Sequence, residues 1–186
     1  MATIGKTTTG GDSYYGNYSR YTLLAQIAGP AASTGTADYI KARISPRGSN
    51  GVHTCYLFSS TGVLIAATEN TYLYTTYNYA WVQFNFADPK PSIISGNSYY
   101  LGISTITNNN RFVGELWGEP QGIYFQSGWD WVSPININLA LTQPSSAYHS
   151  IYLSYTEGIT GPTITIEGIT PGSIEGVDWS DVEDVY

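Results

Sequence analysis

Strict alternation of apolar and polar residues is the feature that most limits how this chain folds. In residues 81–86 (WVQFNF), Val82, Phe84 and Phe86 share one face while Trp81, Gln83 and Asn85 share the other. A strand satisfies that period of two and a helix does not. Residues 37–48 (ADYIKARISPRG) repeat the pattern, which places Ile40, Ala42 and Ile44 inward and Lys41, Arg43 and Ser45 toward water. Further strands are expected at 21–29, ending at Gly29-Pro30, and across 52–69 as a hairpin turning through Ser59-Ser60-Thr61-Gly62. Residues 71–86 and 98–105 supply another pair, joined by an Ala-Asp-Pro-Lys-Pro loop and a Gly96-Asn97 turn. Segments 114–128, 129–134, 135–143 and 149–158 continue the series, with Ile135, Ile137, Leu139 and Leu141 facing inward in the third. No stretch carries a capped 3.6-residue apolar period, although Ser180 and Glu183 form a capping box that suits a short terminal helix.

Composition agrees with an all-β chain. Charged residues make up 11%, while Tyr supplies 17 positions and Gly 20. Aromatic and β-branched residues suit a pleated surface, and Gly, Asn and Pro suit turns. A length of 186 residues accommodates one domain and an appendage. The expected architecture is an all-β, jelly-roll-like antiparallel β-sandwich over residues 1–160, with a C-terminal extension over 161–186.

Three segments carry a resemblance. The opening IGKTTTGGDSYYGNYSRY, the middle WVQFNFADPKPSIISGNSYYLGIS and the later Gly/Trp hairpin resemble jelly-roll domains of phage virion proteins and of extracellular prokaryotic surface proteins. Those domains share a Trp-x-x-Phe-x-Phe strand, a Pro-containing loop and a Gly-x-x-Tyr-Tyr/Trp-Leu strand, matched here by Trp81, Phe84, Phe86, Pro89, Gly96, Tyr99, Tyr100 and Leu101. The likeness covers about residues 3–155 and implies the sandwich fold. The ending IEGVDWSDVEDVY is similar to Gly-Val-x-Trp-x-x-Ile/Val-x-x-Val segments at the ends of phage structural proteins. Together these imply a structural subunit of a virion (capsid decoration, tail or fibre) or a comparable extracellular assembly, located in the virion or outside the cell.

The extension itself points the same way. It is acidic yet apolar, with Ile164, Ile166, Ile169, Ile174, Val177, Trp179, Val182 and Val185 suited to burial. Either the parent domain or another chain should cover them; against another chain, Ile164, Ile166, Ile169, Val177, Trp179 and Val182 are the expected assembly contacts, and TITIEG has the pattern of an added edge strand. Charge is polarised to match. Residues 1–111 hold all seven Lys and Arg against four acids, a balance of +3, whereas the last 75 residues hold ten acids and no cation, −10, together the −7 of the chain. Such polarity suits head-to-tail contact between copies and argues against nucleic acid, which needs clustered cations. A membrane is not an expected partner either, because no run approaches about 18 consecutive apolar residues. The first residues lack the apolar core of a secretory signal peptide.

Residues with reactive chemistry are few. His53 and Cys55 share a strand face and His149 could join them as metal ligands, but structural zinc takes four ligands in closer pairs. A packed Cys55 with surface histidines is the favoured reading. Glu115 and Glu119 flank Trp117 as a carboxylate pair would beside a sugar, yet Gly118 and Pro120 break the register between them. Asp12, Asn17 and Asn108 to Asn110 are oxygen donors better explained as turn residues than as a calcium loop. No enzyme, cofactor or metal is expected. The alternative function is a carbohydrate-binding module or adhesin domain, with Trp117, Tyr124, Trp129 and Trp131 as the glycan platform. Finally, the Tyr14-Tyr15 and Tyr99-Tyr100 pairs put one ring of each on either strand face, leaving one for a subunit interface.

Overall fold

A computed structural model describes residues 1–8, 14–18, 22–46, 50–74, 76, 79–105, 110–115, 123–127, 136–137 and 148–158. These form fourteen strands: β1 (Ala2–Gly5), β2 (Tyr14–Tyr18), β3 (Thr22–Pro30), β4 (Gly35–Pro46), β5 (Gly51–Ser59), β6 (Leu64–Ala67), β7 (Thr71–Leu73), β8 (Ala80–Asn85), β9 (Ser92–Ile93), β10 (Ser98–Thr105), β11 (Asn110–Glu115), β12 (Ile123–Ser127), β13 (Tyr148–His149) and β14 (Ile151–Glu157). The fold is an antiparallel β-sandwich. One sheet of eight strands contains the row β1-β14-β4-β8, and β11, with β2 and β13, continues it past the end of β4; the other sheet runs β12-β3-β10-β5-β6, with β7 following β6 along β5. Successive strands β3, β4 and β5 alternate between sheets, and the central rows β1-β14-β4-β8 and β3-β10-β5-β6 have the order of a jelly roll.

The expected alternation in β4 and β8 is what builds the core. Ile4, Leu153, Ile40 and Phe84 stand side by side on β1, β14, β4 and β8, all buried, as one row across the first sheet. Against them pack Cys55 and Leu57 of β5, Leu73 of β7, and Tyr99, Leu101 and Ile103 of β10. Ser45 departs from expectation: it is 2% exposed and not water-facing, because β11 pairs with the end of β4 through Arg111 opposite Ser45.

Strands β8 and β10 lie in different sheets, so the Pro-containing segment between them is a crossover and not a hairpin. The Gly96 turn at its end works as expected. Gly96 has φ of 78° and donates its N–H to Ala31 O, while Ala31 N–H donates to Asn97 O. Residues 71–86 likewise divide, with β7 in the second sheet and β8 in the first. The 52–69 hairpin is present as β5 and β6. Its turn is held by Ser59 N–H donating to Val63 O and by Ser59 Oγ accepting from the N–H groups of Thr61 and Val63. Two short strands, β1 and β2, precede the first one expected, and β1 pairs with β14 to bring the two ends of the domain together.

A second apolar layer lies on the outer face of the second sheet. Leu23 and Ala25 of β3, Tyr56 and Phe58 of β5, and Tyr100 of β10 are buried there with Ile137. Ile137 N–H donates to Gly62 O, and the neighbouring Asn136 side chain accepts from Leu64 N–H. Tyr99 and Tyr100 are consequently both buried, at 3% and 8% exposure, one in each layer, which corrects the expectation that one ring would be left outside.

One polar tie joins the sheets inside the core. Gln26 of β3 donates from Nε2 to His149 O at 2.9 Å and accepts from His149 N–H at Oε1, 2.7 Å, so its amide completes the backbone hydrogen bonding of β13. Removing it strands two buried backbone groups, each costing about 1–3 kcal/mol. Gln26→Leu is expected to lower unfolding free energy by about 3 kcal/mol with an unchanged denaturant slope, measured by urea unfolding. A loss under about 0.5 kcal/mol would show that the tie contributes little.

Candidate functional site

The residues named from sequence for assembly, Ile164, Ile166, Ile169, Val177, Trp179 and Val182, lie outside the described residues, as do Trp117, Trp129 and Trp131. Of that glycan set only the backbone of Tyr124 is placed, on β12 opposite Ala25 of β3. The described strands instead bring together a group of outward side chains to which the sequence reading gave no functional role.

These are the outward residues of β14, β4 and β8. When Ile40, Ala42 and Ile44 turn inward, Tyr39, Lys41 and Arg43 must turn out. Register then sets their neighbours: Tyr39 lies between Ser154 and Asn85, Lys41 between Tyr152 and Gln83, and Arg43 opposite Trp81. Trp81 and Tyr152 flank β4 from either side and still touch, with ring centroids 5.3 Å apart in an edge-to-face arrangement of 64°. Lys41 Nζ sits 5.3 Å from the centroid of the Tyr39 ring, within the range of a cation–π contact. Arg43 Nε donates to Tyr79 O at 2.9 Å, which fixes the guanidinium near Trp81. Gln83 Nε2 donates to Asn85 Oδ1 at 2.8 Å, and both amides are exposed, whereas the three aromatic rings and the two cations are half-buried.

The result is a face of three amphipathic rings, two cations and two amides, with Met1 at its edge, where Tyr39 Oη donates to Met1 Sδ at 3.8 Å. At the rim, Asp38 is held by Lys90 at 3.1 Å and accepts from Thr156 Oγ1 at 2.8 Å, so its charge is met locally. Each outward position was legible from alternation alone. What was not legible was that β14, β4 and β8 are neighbours, since β14 is separated from β8 by 65 residues.

A different surface gathers apolar side chains. Val63, Ile65, Tyr72 and Tyr74 are 47%, 40%, 53% and 53% exposed, and all lie in or beside β6 and β7, the edge of the second sheet among the described strands. The Tyr72 and Tyr74 rings meet edge to face at 5.2 Å. The two surfaces adjoin where Glu69 N–H donates to Asn85 O.

The histidines are not at the surface. His53 and His149 are 1% and 5% exposed, and Cys55 is fully buried. His53 lies on β5 with Nδ1 3.1 Å from Gly51 O, while His149 sits on β13 in the other sheet, because both strands are covered on the side those rings occupy. No three His, Cys, Asp or Glu residues assemble as a metal site among the described residues. Burial pushes the Cys55 thiol well above its usual pKa, which suits a packed side chain and opposes nucleophilic chemistry.

Compared with protein-family models and with curated proteins, the chain matches no family and no relative.

Burial lowers the His149 imidazole from 6.5 to about 4 by removing the water that would solvate its charged form. The unfolded chain takes up a proton near pH 6.5 and the folded one only near pH 4, so the unfolded state binds more protons between those values. Stability present in full above pH 6.5 is thus withdrawn as the pH falls to about 4, to the extent of ~3 kcal/mol. Thermal unfolding across this window is expected to fall more steeply for the native chain than for His149→Gln. Parallel curves would assign the acid sensitivity to other groups.

Proposed function

We propose that the protein is a non-enzymatic structural subunit of a virion (capsid decoration, tail or fibre) or of a similar extracellular assembly, and that it works by association. The observation that carries this reading is the apolar strip at β6 and β7. An exposed sheet edge bearing Val63, Ile65, Tyr72 and Tyr74 is a template for a further strand, and such edges are covered or blunted in isolated domains. Among the other described edge strands β1 has four residues, β9 two, β8 six and β12 five, so the β6–β7 edge is set apart by its exposed apolar side chains and not by its length.

The sequence supplies matching material. Residues 161–186 carry apolar side chains at Ile164, Ile166, Ile169, Val177, Trp179 and Val182, and TITIEG alternates as an added strand does. The last described strand, β14, ends at Glu157, Gly158 N–H donates to Thr34 O, and residues 161–186 follow in the sequence. Partners are other copies of this chain or other structural subunits. The resemblance of residues 81–101 to virion jelly-roll domains supports the same assignment, as does the jelly-roll strand order.

Association is tested with the full chain. Light scattering of the native protein is expected to show a defined oligomer that falls to monomer in Ile65→Lys/Tyr72→Lys and in Trp179→Ala, with melting temperatures of all three within a few degrees. A native chain that remains monomeric at every concentration would overturn self-association. A stable oligomer unaffected by either variant would overturn the assigned contacts.

A further inference from the structure

We infer that the outer face of β14, β4 and β8 is a binding platform for an acidic glycan, a carbohydrate chain bearing carboxylates. This is a separate site from the apolar edge and does not depend on the association proposed above.

Three properties of the face select that ligand. Its rings are Trp81, Tyr152 and Tyr39, whose apolar surfaces match the C–H faces of pyranose rings. Sugar recognition pairs such rings with planar amides that can donate and accept at once, and Gln83 and Asn85 stand exposed beside them. The strands β14 and β8 are two inter-strand spacings apart, about 10 Å, the span of a disaccharide laid across β4.

Charge then narrows the sugar. In a chain of net charge −7, the described outward residues of these strands place Lys41 and Arg43 at the centre of the face. Of the described acids beside the face, Asp38 is engaged by Lys90 and Thr156 at the rim, and Glu69 lies at its far end, next to Asn85. A carboxylate beside Lys41 would be attracted by its charge, and the half-buried position of that cation reduces screening by salt. A neutral glycan would leave that attraction unused. Trp, Tyr, Met and Arg are also enriched at protein interfaces, so a subunit contact is the rival occupant; the exposed amides favour the sugar, and the apolar side chains gather instead at β6 and β7.

The test uses the full-length protein on an immobilised panel of oligosaccharides containing uronic or sialic acid, together with their neutral counterparts. Acid-bearing members are expected to be retained at least about tenfold more strongly than neutral ones. Retention should weaken by a further tenfold or more in Trp81→Ala and in Lys41→Ala, and should fall as salt is raised. Because Gln83 and Asn85 are exposed, Gln83→Ala/Asn85→Ala tests the same site with little risk to folding and is expected to weaken retention about tenfold. No retention of any member, or retention by Trp81→Ala and by the double amide variant equal to that of the native chain, would overturn the platform. Equal retention of acidic and neutral members would overturn the assigned sugar class. Light scattering of the same variants separates the two proposals. If Trp81→Ala or Lys41→Ala breaks the oligomer and no glycan is retained by the native chain, the face is a subunit contact and the glycan inference fails while the association reading stands.

Discussion

Strand β5 has no solvent-facing side. Of its nine residues, only Val52 and Ser59 are more than slightly exposed, and its two faces feed two different apolar layers. Cys55 and Leu57 point into the space between the sheets, and Tyr56 and Phe58 into the layer beneath Ile137. A strand buried on both faces fixes its register on both, because a slip of one residue would exchange the two sets of side chains. Neighbouring β10 inherits this constraint. It is paired with β5 through seven positions and must offer Leu101 and Ile103 to one layer while Tyr100 and Gly102 face the other. Gly102 shows how little room remains: a Cβ there would stand 3.0 Å from Leu23 Cδ1 and 3.0 Å from Phe58 Cε2. Polar atoms in the outer layer are paired within it, with Tyr56 Oη and Ser104 Oγ 2.8 Å apart.

That arrangement decides which surfaces are left for function. The second sheet presents its described apolar surplus at the β6–β7 edge, where a break at Thr68–Asn70 divides the edge into two short strands. On the first sheet, the described outward residues of β14, β4 and β8 that reach the surface are rings with polar ends, amides and cations, beside buried Ser45, Ser150 and Ser154. An apolar edge and a polar-aromatic face favour different partners, the first a strand or side-chain cluster from protein, the second a hydroxylated ligand. Their proximity at the Glu69–Asn85 hydrogen bond leaves room for both on one subunit, since the edge projects sideways from one sheet while the face looks outward from the other.

Alternation made much of this fold legible in the sequence. The inward set of β4 and β8, the Ser59–Gly62 turn, the Gly96 turn and the closing strand at Glu157 all follow from local pattern and turn chemistry, which depend on residues within a few positions of one another. Misreadings occurred where tertiary neighbours decide. Ser45 has a polar side chain at an outward position and is buried only because β11 arrives beside it. Tyr100 is buried only because the second sheet has a covered outer face, and the histidines only because their strands do. The candidate face was half legible: Trp81, Gln83, Asn85, Lys41 and Arg43 were each placed on the outward side, but the adjacency that makes them one surface passes through Tyr152, far along the chain. The Trp117, Trp129, Trp131 and C-terminal assignments lie outside the described residues.

The same row of contacts that stabilises the sandwich also makes its face useful. Ile4, Leu153, Ile40 and Phe84 lock four strands in register from the inside, and every lock on the inner side fixes an outward neighbour one residue along. Lys41 therefore cannot drift relative to Tyr152 and Gln83 without pulling Ile40 out of line with Leu153 and Phe84, which would expose several large side chains at about 1.5–3 kcal/mol each. Side chains carried on such strands are held more closely than those on loops, so a ligand laid across them meets rings and cations already in place and loses less on binding. Long side chains such as Lys41 and Arg43 are ordinarily the mobile members of a surface. Here one is drawn over the Tyr39 ring and the other is tethered to the Tyr79 carbonyl, so the cations share the order of the sheet beneath them.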